Sequence, residues 1–236
     1  MANDEELIAS AQLEIDKKLQ KFKGMKVSEL KELVGLNAKD NKASFVNLAR
    51  KMLGISGNQF TLCEGKVDAV LKTVRVTGMK NPAEPMSFMT VKFDEWVKSP
   101  SWVESSLYNY FKEKTLILFI FQQYPSGQRV DDKEMTFYGV KVWKMSNYDL
   151  NHGLKEVWDE VRDLLIHNRL VITPVIQKNC QVINKNNLPK SDFNDLGHLR
   201  PGAKNGDDKI LLPTGQTIVK QRFWFNSEYV KEILGL

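Results

Sequence analysis

Between Glu5 and Phe22 the apolar residues Ile8, Ala11, Ile15, Leu19 and Phe22 recur three or four positions apart, with lysines and acids between them. That spacing predicts an amphipathic helix, ended by Gly24. Ser28 can cap a short second helix running to Val34 and closed by Gly35, and Ala43 to Leu53 reads as a third, stopped by Gly54. The period then changes. Val67 to Val76 alternates and is rich in β-branched residues, which predicts a strand, and Met86 to Phe93 predicts another after the breaks at Pro82 and Pro85. Ser101 to Phe111 reads as a helix. Thr115 to Gln123 is short and almost wholly apolar, as a buried strand is, and the turn Tyr124-Pro125-Ser126-Gly127 folds it onto an alternating strand from Glu134 to Lys144. Leu154, Val157, Trp158, Val161, Leu164 and Leu165 mark a strong helix. Lys178 to Asn194 reads as an exposed loop. Short segments at His198 to Arg200, Lys209 to Leu212 and Thr217 to Phe225 follow, and Ser227 to Leu234 predicts a last helix. The order predicts an α/β or α+β fold with a central mixed sheet flanked by helices.

With 236 residues, 42% hydrophobic and 27% charged, the chain can bury a core without cross-links. Two cysteines, Cys63 and Cys180, are too few for a disulfide framework, and the acids Asp4, Glu5 and Glu6 stand where a secretory leader would carry lysines. A reduced, cytoplasmic setting is therefore expected. The longest apolar run, Leu116 to Phe121, falls well short of a membrane span, so no membrane partner is expected.

The net charge of +5 only mildly favours an acidic partner, but its distribution says more. Six lysines between Lys17 and Lys31 fit a solvated helix face. Arg200, Lys204, Lys209, Lys220 and Arg222 lie in a stretch whose acids are Asp207 and Asp208. His152, His167 and His198 are scattered and neither cysteine has a partner at ligand spacing, so a metal site built on them is not expected. No phosphate-binding glycine loop and no nucleophile elbow occurs.

Two places carry candidate chemistry. Lys72 shares a strand face with Asp68, Val70, Val74 and Val76, either as an edge lysine that discourages pairing or as a cation held near a phosphate. From Gly197 to Asn205 an arginine precedes a proline, small residues and a lysine. That segment is either an ordinary turn or a loop in which Arg200 makes bidentate contacts to guanine or phosphate.

Four blocks resemble the family of the MutH mismatch-repair endonuclease and the GATC-cutting restriction enzymes typified by Sau-three-AI. They are Phe22-Lys23-Gly24-Met25-Lys26-Val27-Ser28-Glu29-Leu30, Val70-Leu71-Lys72-Thr73-Val74-Arg75-Val76, His198-Leu199-Arg200-Pro201, and Val219-Lys220-Gln221-Arg222-Phe223-Trp224-Phe225-Asn226. The resemblance implies a restriction-endonuclease-like core in two lobes around a DNA cleft. It makes residues 1–236 one DNA-binding domain, with a helical part to about 56, a sheet core over about 57–175 and a recognition part over about 195–236.

Active members of the family hold magnesium with an Asp and the Glu of a Glu-x-Lys triplet, while the Lys serves the attacking water. Here Lys72 matches the Lys, but Val70 stands at the Glu position, Cys63 at the Asp position and Arg50 at a further acid. The resemblance therefore implies a degenerate site at Cys63, Val70 and Lys72, no catalytic or metal-binding residues and no cofactor for this chain, although relatives use magnesium. The alternative is a magnesium-dependent endonuclease with relocated acids, Glu64 or Asp68, although Asp68 lies roughly 13 Å from Lys72 along a strand. Glu84-Pro85-Met86-Ser87-Phe88 and the Phe223 block look most like the catalytically silent C-terminal half of Sau-three-AI, which implies an effector or targeting role beside a linked or separate nuclease domain. Matched by position, the expected DNA-binding residues are Lys42, Lys72, Phe88, Lys112, Arg200, Pro201, Lys204 and Lys220, with Gly202 where MutH has a basic residue.

Overall fold

The computed structural model describes residues 3–37, 42–180 and 182–236, the side chains of Lys42 and Ala43 excepted. In chain order, helices α1 (Asp4–Leu19), α2 (Val27–Leu33) and α3 (Lys42–Leu53) precede strands β1 (Gln59–Leu62), β2 (Val67–Val76) and β3 (Met86–Thr90). Helices α4 (Phe93–Lys98) and α5 (Ser106–Glu113) lead to strands β4 (Thr115–Gln122) and β5 (Thr136–Trp143). A continuous helical stretch follows as α6 (Asn147–Asp149), a π turn at Leu150–Leu154, and α7 (Lys155–Ile166). Strands β6 (Ile172–Ile176), β7 (Val182–Asn186), β8 (Gly197–Pro201), β9 (Lys209–Leu211), β10 (Thr217–Val219) and β11 (Gln221–Phe225) end in α8 (Ser227–Leu234). The result is the expected mixed α/β architecture. The residues form two compact units, one of Met1–Glu84, Glu113–Met145 and Lys231–Leu236, the other of Pro85–Lys112 and Ser146–Val230.

The first unit is built on a four-stranded sheet in the order β1-β2-β4-β5, with β2 and β4 parallel and the other pairs antiparallel. Strand β4 is buried along nearly its whole length, which its unbroken apolar sequence requires. One face of the sheet, with Ala69, Leu71, Ile117, Phe119 and Phe121, packs under Ala11, Ile15 and Leu19 of α1 and Phe45, Leu48 and Met52 of α3. The apolar stripe of α1 is thus spent on this core. The same helix protects the edge strand β5, since the Gln12 side-chain amide donates to the Val140 carbonyl at 3.0 Å and accepts from the Val142 N–H at 2.8 Å. Helix α2 starts two residues earlier than a Ser28 cap would give, because the Glu29 carboxylate accepts the Lys26 N–H at 2.8 Å.

The second unit centres on a three-stranded antiparallel sheet in the order β3-β11-β8. Phe223 and Phe225 alternate to its inner face, where they meet Phe88 and Phe111, with Phe88 4.5 Å from the Phe225 ring and 5.0 Å from that of Phe111. Arg162 of α7 closes the end of α4, donating to the carbonyls of Trp96, Val97 and Ser99 while its guanidinium lies 4.4 Å from the Trp158 ring. Two small hairpins, β6 with β7 and β9 with β10, complete the unit.

Several sequence expectations are corrected here. The span from Met86 to Phe93 is a strand only to Thr90, since Phe93 already opens α4. Ser101 to Phe111 is a 3-10 turn at Trp102–Glu104 followed by α5. Thr217 to Phe225 is two strands in different sheets, broken at Lys220, whose N–H bonds the Asp208 carbonyl at 3.0 Å. The Lys178 to Asn194 stretch contains β7 and is no simple loop.

Candidate nucleic-acid interface

In the second unit, the alternation that buries Phe223 and Phe225 turns Arg222 and Trp224 to the opposite face of β11. Strand β8 does the same, with Leu199 inward and His198 and Arg200 outward. Register then sets Arg200 directly opposite Arg222 and His198 opposite Trp224. Arg200 is exposed, and its guanidinium lies 4.8 Å from the centroid of the Trp224 ring. Such stacking holds the planar donor fork in place while leaving its edge able to meet an acceptor. Pro201 ends β8 on the outer edge of the sheet, where its missing N–H costs no ladder bond, and it fixes the backbone beside Arg200.

His198 anchors this edge and does not face outward freely. It is 4% exposed, and its Nδ1 donates to the Asn226 Oδ1 at 2.5 Å. The Asn226 amide group donates in turn to the Ser191 and Asn194 carbonyls at 3.2 and 2.7 Å, which fixes Oδ1 as the acceptor. Burial, reinforced by the nearby Arg200 and Lys190 charges, holds the imidazole below its ordinary pKa despite that hydrogen bond.

The remaining expected residues of this unit have different surroundings. Lys204 is exposed, and its N–H bonds the Asp208 carboxylate at 3.2 Å. The other oxygen of Asp208 pairs with the Lys220 ammonium at 2.5 Å, and these hydrogen bonds, led by Lys220, hold the Asp208 carboxyl below the usual range. Lys220 therefore reaches any anion only by leaving Asp208 or sharing with it. Lys112 donates to the Asn147 side chain at 2.9 Å. Phe88 was expected beside the bases; at 6% exposure in the aromatic core it has no face to offer one.

In the first unit, Lys72 is half-buried on β2 between the buried Val70 and Val74 and opposite Leu118 of β4. The β1 ladder ends at Val70, so at Lys72 the strand is paired on its β4 side and the edge position read from the sequence is kept. Cys63, Glu64 and Gly65 form the turn joining β1 to β2, with φ of 51°, 56° and 84°. Leu62 pairs with Val67, so the turn lies about 17 Å along β2 from Lys72 at ordinary strand rise. Glu14 accepts the Cys63 N–H at 2.8 Å, and burial together with that carboxylate pushes the Cys63 thiol up. Asp68 is ion-paired with Lys114. Arg50 of α3 donates to the side chains of Asn58 and Asn47 at 2.9 and 3.3 Å, and the Asn58 carbonyl accepts the N–H of Leu71, next to Lys72.

A magnesium ion calls for oxygen ligands, mostly carboxylates, converging on one point. The positions to which the family resemblance points carry an aliphatic chain, a thiol that burial keeps protonated and a guanidinium, and among the described residues no group of three or more His, Cys, Asp or Glu could hold a metal, so the residues described there do not fit the ion. The Lys42 side chain lies outside the described residues.

Arg222 and Trp224 are the members of this surface that sequence reasoning missed as a site. Their signal was the alternation of Arg222, Phe223, Trp224 and Phe225, which sends a basic and an aromatic residue to one face and two phenylalanines to the other.

The mixed sheet of the first unit, flanked by helices, is consistent with a restriction-endonuclease-like fold. Comparison with known sequences points the same way. No family model matches the chain. Over 71% of its length it is 26% identical to the type II restriction enzyme Sau3AI of Staphylococcus aureus. The matched region is 38% of that enzyme, so the chain spans well under half the length of this relative. Among the described residues no helix is long and apolar enough to cross a membrane.

Proposed function

We propose that this chain binds double-stranded DNA sequence-specifically, preferring GATC, as a non-catalytic effector or targeting domain of a type II restriction enzyme of the MutH-like kind. The observation that carries the reading is the Arg200 guanidinium stacked on Trp224 beside Pro201, a preorganised fork on a basic sheet edge. A fixed arginine fork matches the O6 and N7 acceptors of guanine, and lysines around it supply affinity without sequence information. Lys204 is placed for that second role, and Lys72, Lys112 and Lys220 serve it to the extent that DNA draws them from their present partners. The degenerate positions Val70 and Cys63 support binding without cleavage, with the nuclease activity residing in a linked or separate domain. The relocated-acid alternative is disfavoured by placement, as Asp68 is held by Lys114 and Glu64 lies in the turn far from Lys72.

Selection from a pool of random duplexes, followed by incubation of the recovered pool with magnesium, tests the proposal. Enrichment of GATC with intact DNA is expected. Recovery of duplexes with no shared sequence would contradict specific binding, and cleaved products would contradict the non-catalytic role.

A further inference from the structure

We propose that Arg222, lying across Gly202, is a second DNA-contacting cation that binds a backbone phosphate next to the base read by Arg200. The inference rests on the DNA-binding reading above and assigns it a residue.

Three observations lead to it. First, Arg200 and Arg222 are direct cross-strand partners on one face of the sheet. Like charges in that relation repel, and although the side chains lean apart, Arg200 over Trp224 and Arg222 over Gly202, an anion at Arg222 lowers what repulsion remains. Second, the Arg222 Nε is buried and no acceptor among the described residues bonds it. A buried guanidinium donor without a partner is costly, and an anion meets this arginine first at its terminal nitrogens, with the side chain shifting for Nε to join the fork. The Trp224 Nε1 on the same face is likewise buried without a partner. Third, Gly202 makes the arrangement possible. A Cβ at that position would overlap the Arg222 Cγ, lie 2.5 Å from Cδ and 3.1 Å from Cβ. Gly202 is held there by its N–H bond to the Lys220 carbonyl at 2.9 Å. Any side chain at 202 would displace the arginine, so a cation from β11 fills the space that a residue of the loop would otherwise occupy.

The choice of phosphate over a base edge follows from charge. Arg222 adds a second guanidinium to a face that already carries Arg200, and a phosphodiester brings the formal charge that the neutral acceptors of guanine lack. Arg200, with its guanidinium over the Trp224 ring, is held in place for base reading.

The test measures binding of the full chain to a GATC duplex and a scrambled duplex across a range of salt. Arg222→Gln should weaken both duplexes by a similar factor, roughly tenfold, and lower the salt slope by about 0.9, the loss of one phosphate contact. Arg222→Lys should recover most of the slope. Gly202→Ala leaves the arginine in the sequence but moves it, and should reproduce the Arg222→Gln loss. The double variant should be no worse than either single one. Unchanged slope in Arg222→Gln, or additive losses in the double variant, would overturn the assignment. A thermal melt with inorganic phosphate against chloride at matched ionic strength separates this from failure of the DNA reading. Phosphate-dependent stabilisation that Arg222→Gln abolishes, in a chain that binds no duplex, would keep the anion site and refute DNA as its source. Absence of that stabilisation in a chain that binds DNA with an unchanged Arg222→Gln slope would refute the site.

Discussion

At the scale of the residue, two side chains on the β8–β11 face carry separable predictions. Arg200 is exposed and stacked, so removing it should cost binding with little cost in folding. Arg200→Ala is expected to lose about 1–3 kcal/mol at the cognate duplex and flatten the preference between sequences. Equal losses on cognate and scrambled DNA would remove its base-reading role. His198 is the opposite case, a buried neutral imidazole that supports the strand. Its pKa is depressed by burial first and then by the Arg200 and Lys190 charges, so the unfolded chain takes up a proton more readily than the folded one. Its contribution to stability is therefore complete above the unfolded value, about 6.5, and declines as pH falls through that value towards the lower folded one. Urea unfolding between pH 7 and pH 5.5 should show stability falling with acidification, and His198→Gln should flatten that trend. A trend of the same slope in the variant would contradict the assignment.

At the scale of the element, the end of α4 depends on a side chain from α7. Arg162 serves the carbonyls of Trp96, Val97 and Ser99, so Arg162→Met leaves carbonyl groups without a donor while keeping most of the packing stem. A loss of about 1–3 kcal/mol in unfolding free energy is expected, and a change below about 0.5 kcal/mol would show that water replaces the guanidinium. The elements also show which parts of the fold the sequence discloses. Strand β2 runs from Val67 to Val76 in both the pattern and the structure, because β-branched residues mark its length. Strand β1 is missed because it is four residues long, too short for the alternation of Phe60 and Leu62 with the exposed Gln59 and Thr61 to stand out. The β6–β7 hairpin is mostly exposed and carries Pro174, so its sequence resembles a loop. The site divides in the same way. The basic edge near Arg200 is visible as a cluster of charge, whereas the burial of Phe88 is not, since an aromatic that packs and an aromatic that stacks on a base look alike along the chain. The approach of Arg222 to Gly202 depends on register between two strands, which no single segment encodes.

At the scale of the whole molecule, the charge of +5 is small, and several basic side chains are already committed to other groups of the protein. Lys220 is held by Asp208 and Lys114 by Asp68, so counting lysines overstates the affinity for a polyanion. Lys220→Ala is accordingly expected to lower the salt slope of duplex binding by less than one unit, since the ammonium is partly neutralised before DNA arrives. A full unit lost would show that DNA displaces Asp208. The central claim is that the chain recognises a sequence and does not cut it. Fluorescence anisotropy of a labelled GATC duplex and its scrambled counterpart, titrated with the full chain in magnesium at two salt concentrations, tests this most directly when the same samples are then run on a gel. The account predicts tighter binding to GATC at both salts, weaker binding to either duplex at the higher salt, and intact DNA throughout. Equal affinity for the two duplexes, or cut strands on the gel, would contradict it.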